Sequence, residues 1–187
     1  MERLNKRENA RLFDKPIGYI EDALAEKLPW LDHIFGCSER LLKVINNKRY
    51  FTPNWYKGDG EYLILTPDQN LGCYAFFVIE DPQTVDWAAG LSTTLSTPFS
   101  LIVWADMRLY DNGRDWRDTE AAKEDILRVL NGGVWMRDGS FQITRIYERA
   151  ENVFRGYTMD EVDNQFLMSP FAGWRFDGLL TIKNDCI

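Results

Sequence analysis

Apolar residues recur at helical spacing from Ile17 through Ile20, Leu24 and Leu28 to Leu31, while Glu21, Asp22, Glu26 and Lys27 fill the other face. That pattern, opened by Pro16, predicts an amphipathic helix lying on a sheet. Pro29 interrupts this helix or begins a second one, running through Leu31, Ile34 and Phe35 to Cys37. Ser38-Glu39-Arg40-Leu41-Leu42 then leads toward a strand. Ahead of all this, residues 1–15 are rich in charge and amides. Leu4, Leu12 and Phe13 could dock, but the segment reads as a mobile arm able to order on a partner.

The period changes in the middle of the chain. Arg49 to Trp55 carries Tyr50 and Phe51 and ends at the turn Lys57-Gly58-Asp59-Gly60. Tyr62 to Leu65 is a short apolar run stopped by Thr66-Pro67-Asp68, and Cys73 to Ile79 is another, closed by Glu80-Asp81-Pro82. These runs are too short for buried helices and rich in aromatic and β-branched residues, so strands are expected. Asp86 to Thr97 is small and polar, suiting a loop or a paired edge. Phe99 to Trp104 is the most hydrophobic strand candidate, and its unbroken run predicts a central position.

A second helix follows, capped by Asp118 or Thr119, with Ala122, Ile126, Val129 and Leu130 as its buried stripe and Asn131-Gly132-Gly133 as its stop. Phe141 to Tyr147 reads as a strand, followed by a polar link through Tyr157 to Gln165. The last strand alternates clearly. Trp174, Phe176, Leu180 and Ile182 face one way, and Arg175, Asp177, Leu179 and Thr181 the other. No period of 20–50 residues repeats, which excludes solenoids and propellers. The expected fold is α+β, with helices packed on one face of a mostly antiparallel sheet. Residues 16–187 are expected to form a single domain behind the arm of residues 1–15.

Composition changes this picture by exclusion. The 187 residues hold 22 Lys and Arg against 29 Asp and Glu, a net charge of −7. An acidic balance argues against specific nucleic-acid binding, which needs a cationic surplus on some face. No stretch approaches the roughly 20 apolar residues of a membrane span, and no secretory signal is expected at the start. Cys37, Cys73 and Cys186 are widely spaced and odd in number, so reduced thiols are expected rather than a disulfide frame. His33 is the only histidine and reads as a capping or packing residue at a helix-to-helix corner. Gly58-Asp59-Gly60 and Gly132-Gly133 match neither a P-loop nor a dinucleotide fingerprint.

The densest polar cluster is Asp106 to Asp118. Its acids invite comparison with a calcium loop, but Arg108, Arg114 and Arg117 interleave with them and neutralise them. A solvated loop with self-paired charges is the expectation. Trp55, Trp87, Trp104, Trp116, Trp135 and Trp174 are spread over the chain and read as core or interface residues rather than a stacking platform. No catalytic, cofactor-binding or metal-ligating residue is assigned, no cofactor is expected, and a structural or binding role follows.

The order of elements resembles that of tail terminator or tail completion proteins of long-tailed phages and prophages. It is carried by the strand Pro98–Trp104, the loop to Tyr110, the helix Thr119–Leu130, the strand Ser140–Tyr147 and the closing strand Ala172–Ile182. The resemblance covers residues 16–184 and is a pattern of elements rather than a sharp motif. The chain departs from it by extra length in Trp30–Thr66 and Arg149–Met168. It implies a non-enzymatic virion-tail protein, made in the host cytoplasm. Such a protein assembles as a ring, commonly sixfold, that caps the tail tube and meets the head connector. A ring needs one surface patch to meet a different patch on the neighbour. The loops Asp106–Asp118 and Arg149–Met168 are the candidate contacts. The acidic balance suits protein partners, or a lumen through which DNA slides without sticking. The alternative is a soluble ligand-binding or hydrolase-like domain with a site at Asp106, Asp111, Asp115 and Trp116.

Overall fold

Two helices, two sheets and two apolar clusters account for most of the architecture in the computed structural model. It describes residues 2–7, 9–67, 71–87, 93–110, 118–137, 139–159 and 168–184. The first helix, α1 (Asp14–Lys27), starts two residues before Pro16. Pro16 thus falls in the first turn, where a missing N–H costs nothing, and Asp14 and Lys27 complement the helix dipole. The other long helix, α3 (Thr119–Gly132), is capped as expected. The Asp118 carboxylate accepts the Ala121 N–H at 3.1 Å, and the Gly133 N–H closes the last turn on the Val129 carbonyl. A Cβ at position 133 would lie 2.9 Å from that carbonyl oxygen, so the glycine allows the close approach. Two short helices, α2 (Met107–Tyr110) and α4 (Ala150–Val153), complete the helical set among the described residues.

The large sheet runs β1 (Leu4–Asn5), β2 (His33–Cys37), β6 (Tyr74–Ile79), β8 (Thr93–Asp106), β10 (Phe171–Asn184) and β9 (Gly139–Tyr147), with β7 (Thr84–Trp87) also paired to β8. Among the described residues only β1–β2 and β2–β6 are parallel, and every other pair in this sheet is antiparallel. β8 lies between β6 and β10, the central place its unbroken apolar run predicts. A separate three-stranded sheet follows the order β3 (Glu39–Ile45), β4 (Lys48–Gly58), β5 (Glu61–Ile64).

Strand alternation divides the core in two. On one face Ile34, Ala75, Phe77, Leu101, Val103, Trp174, Phe176 and Leu180 meet α1 and α3. On the other, Phe35, Tyr74, Phe76, Ile102 and Trp104 meet Val153 and Phe154, with Trp55 and Leu63 of the smaller sheet packed alongside. The fold is therefore α+β, with the long helices on one face. The opposite face carries α4 and the base of the second sheet, a layer the sequence pattern had not separated out.

Two local expectations are corrected. Residues 33–37 form strand β2 rather than a second helix. Ile34 and Phe35 are adjacent yet each is fully buried, because a strand sends neighbours to opposite faces and both faces here are covered. His33 therefore opens a strand instead of occupying a helix corner, its Nδ1 3.0 Å from the Glu2 carbonyl. The segment expected as a mobile arm is tied to the body. Leu4 and Asn5 pair with Ile34 and Phe35, and the Arg3 guanidinium donates to the Leu31 and Leu28 carbonyls at 2.9 and 2.7 Å. Lys6 pairs with Asp22 at 2.6 Å, and Phe13 is buried.

Candidate functional site

The three-stranded sheet is built by two tight turns. Asn46 and Asn47 both have positive φ, 50° and 61°, and sit between the paired residues Ile45 and Lys48. Such a two-residue left-handed loop matches the twist of the flanking strands, and asparagine tolerates it. Asp59 and Gly60 make the equivalent turn into β5. The base of the sheet is anchored: Phe35 and Trp55 rings lie 5.6 Å apart, and the Phe51 N–H and carbonyl both bond to Thr158. The outer half is not. Residues 42–44 and 46–49 are exposed, including Leu42 at 48% and Val44 at 64%. This half therefore stands clear of the core with both faces open.

Its chemistry differs from the rest of the protein. Residues 39–58 hold Arg40, Lys43, Lys48, Arg49 and Lys57 against the single acid Glu39. Arg40 lies 4.0 Å over the Phe51 ring, which keeps its charge beside an apolar strip. The outer backbone edge of β3 has no hydrogen-bonding partner among the described residues.

A second open edge lies on the large sheet. β7 pairs with β8 from Thr84↔Ser96 to Trp87↔Thr93, on the same side of β8 that β6 occupies further along. All four of its residues are exposed, with Val85 at 46% and Trp87 at 75%. Natural edge strands are usually blunted by charge, proline or a covering element. Among the described residues nothing covers this one, and apolar side chains alternate along it with Thr84 and Asp86.

Two polar centres are buried within the fold. Arg175 is 1% exposed, and its guanidinium pairs with Glu80, with Ser100 Oγ at 2.9 Å and with Asp177 at 2.7 Å. Arg155 adds a contact to Asp177 at 3.1 Å. Burial would raise the Asp177 pKa, but the Ser100 and Arg175 hydrogen bonds and both guanidinium charges outweigh it and hold the carboxyl below its ordinary range. Two cations face two anions, so this centre ties the segments that follow β6 and α4 to β8 and β10 and has no surplus charge to offer a substrate.

The other centre is Glu21 on α1. It is 3% exposed, with Oε1 lacking a hydrogen-bond partner and crowded by Gly36, where a Cβ would come within 3.2 Å. Burial raises its pKa to about 7, against the pull of Lys6. A cavity of about 260 Å³ opens beside it, between Lys6, Arg7, Asp14 and Cys37. The helical pattern placed Glu21 on the polar face, yet it stands four residues after Ile17, a spacing that points inward. A larger cleft of about 650 Å³ lies between the ends of α1 and α3. There Trp30 meets Tyr110 edge-on at 5.3 Å, and Tyr110 donates to Asp125 at 2.7 Å.

The acidic loop separates into a described and an undescribed part. Asp106 is held by Arg108 through two side-chain bonds of 2.8 and 2.6 Å, which keep its pKa below the ordinary carboxylate range. Asp111, Asp115 and Trp116 lie outside the described residues, as does most of the Asp106–Asp118 contact loop and residues 160–167 of the Arg149–Met168 loop. Burial pushes the Cys73 thiol up to about 12 and raises Cys37 as well, so neither supplies a thiolate. Among the described residues no group of three or more His, Cys, Asp or Glu could hold a metal ion, and no helix is long and apolar enough to cross a membrane. Trp104 and Trp174 are core residues, whereas Trp87 and Trp135 are exposed. Comparison with protein-family models and with curated proteins finds no match to this chain.

Proposed function

We propose that this chain is a structural subunit that works by assembling with copies of itself, as the tail-terminator resemblance implies. In that role it closes into a ring at the end of a phage tail tube and presents a surface to the head connector. One observation carries the reading: two separate strand edges, on β3 and β7, are unpaired among the described residues and bear exposed apolar side chains. Open edges of this kind are templates for pairing with another chain. Two different edges on one subunit permit the head-to-tail contact from which rings are built. The ligand-binding alternative gains nothing from Asp106, whose carboxylate is already occupied by Arg108.

The test is molar mass by light scattering after size exclusion, over a range of concentrations and with and without Mg²⁺, with negative-stain images of the same fractions. A discrete oligomer of ring shape is the expected result. A monomer at every concentration, combined with binding of a divalent cation or a sugar, would replace this reading with the alternative.

A further inference from the structure

The β3 and β7 edges are complementary in parity and in charge. Leu42 and Val44 stand on one face of β3 with Lys43 between them on the other. Val85 and Trp87 stand on one face of β7 with Asp86 between them. Residues opposite one another across a ladder share a face. Setting the two apolar pairs side by side therefore brings Lys43 opposite Asp86, and this holds whether the strands run parallel or antiparallel.

Charge favours the same match. The segment of residues 39–58 has five cations and one acid, which leaves 28 acids against 17 cations in the rest of the chain. Glu80 to Trp87 holds Glu80, Asp81 and Asp86 with no cation, and Glu80 is engaged by Arg175. Two copies at −7 repel as wholes, so their approach needs a local patch of opposite sign. The hairpin is that patch. Among the described residues of one chain β3 pairs only with β4, and β7 only with β8.

We infer that the outer edge of β3 in one copy pairs with the open edge of β7 in a second copy, extending its large sheet by the hairpin. The inference rests on the assembly reading and names its contact. The contact is heterologous, so each subunit donates a hairpin to one neighbour and accepts one from the other.

A charge swap tests it. Lys43→Glu, Asp86→Lys and the double variant carrying both are compared with the parent by light scattering and sedimentation at low salt. Each single change should weaken self-association about tenfold or more, since like charges then face each other. The double variant should recover most of the loss. Both positions are on exposed strands, and unchanged melting temperatures would show that folding is intact. Parental assembly in both single variants, or no recovery in the double, overturns the β3–β7 pairing while leaving self-assembly standing. A parent that is monomeric throughout overturns both. Fluorescence anisotropy with a duplex oligonucleotide adds a third arm. Binding that Lys43→Glu abolishes, with self-association untouched, would assign the hairpin cations to phosphate instead and overturn the pairing.

Discussion

Glu21 and Asp177 are both carboxylates in polar centres of the fold, yet their surroundings make stability respond to pH in opposite senses. Below about 4.5 the Glu21 carboxyl is protonated whether the chain is folded or not. As pH rises toward 7 the unfolded chain ionises while the folded one still holds its proton, so stability falls across that window and then levels off. Glu21→Gln should remove this loss. It is expected to leave stability near pH 4 unchanged and to raise it by roughly 2–3 kcal/mol at pH 8, read from urea midpoints at the two pH values. An equal difference at both would show that Glu21 does not titrate in the folded protein. Asp177 behaves the other way: its depressed pKa contributes stability above the ordinary carboxylate range that is lost as pH falls. Arg175→Met strips its buried cation from Glu80 and Asp177 and should cost about 3–5 kcal/mol. Removing the half-exposed Arg155 should cost about 1 kcal/mol or less; denaturation of the two variants side by side separates them.

At the scale of elements, legibility followed whether the partner was near in sequence. The α3 cap was readable because Asp118 and the N–H it accepts are three residues apart. Asp118→Ala should lower stability by about 1 kcal/mol, measurable as a drop in melting temperature, with Asp118→Asn expected to retain most of it. β8 and β10 were readable because an unbroken apolar run and a strict alternation each fit one geometry. Residues 29–37 were misread because Pro29, Leu31, Ile34 and Phe35 fit a helical period as well as a strand with two buried faces. Only the second apolar layer, supplied by Trp55, Leu65 and Phe154, decides between them, and it comes from distant segments. The early residues read as a loose arm for the same reason. Arg3 docks on main-chain carbonyls at the end of α1, and acceptors of that kind leave no mark in the residue pattern.

For the molecule as a whole, sequence pattern gave the α+β class but not the separation into two sheets, nor the open edges on which the assembly reading depends. Edge strands become visible only when the pairing order is known: Asp86 to Thr97 suits a loop as well as a paired edge until β7 is seen beside β8. The contact loops expected from sequence lie partly outside the described residues, and the contact proposed above is built from strands. The long strand β10 has a further consequence for biosynthesis. β10 is made after both of the strands it pairs with, yet it lies between β8 and β9 and contributes Trp174 and Phe176 to the core. A nascent chain interrupted before Phe171 leaves β8 and β9 without the strand that joins them. The large sheet can therefore close only once translation has run through this strand, so the pairing of β8 with β9 through it is a late event in synthesis whatever the order in which the other strands form.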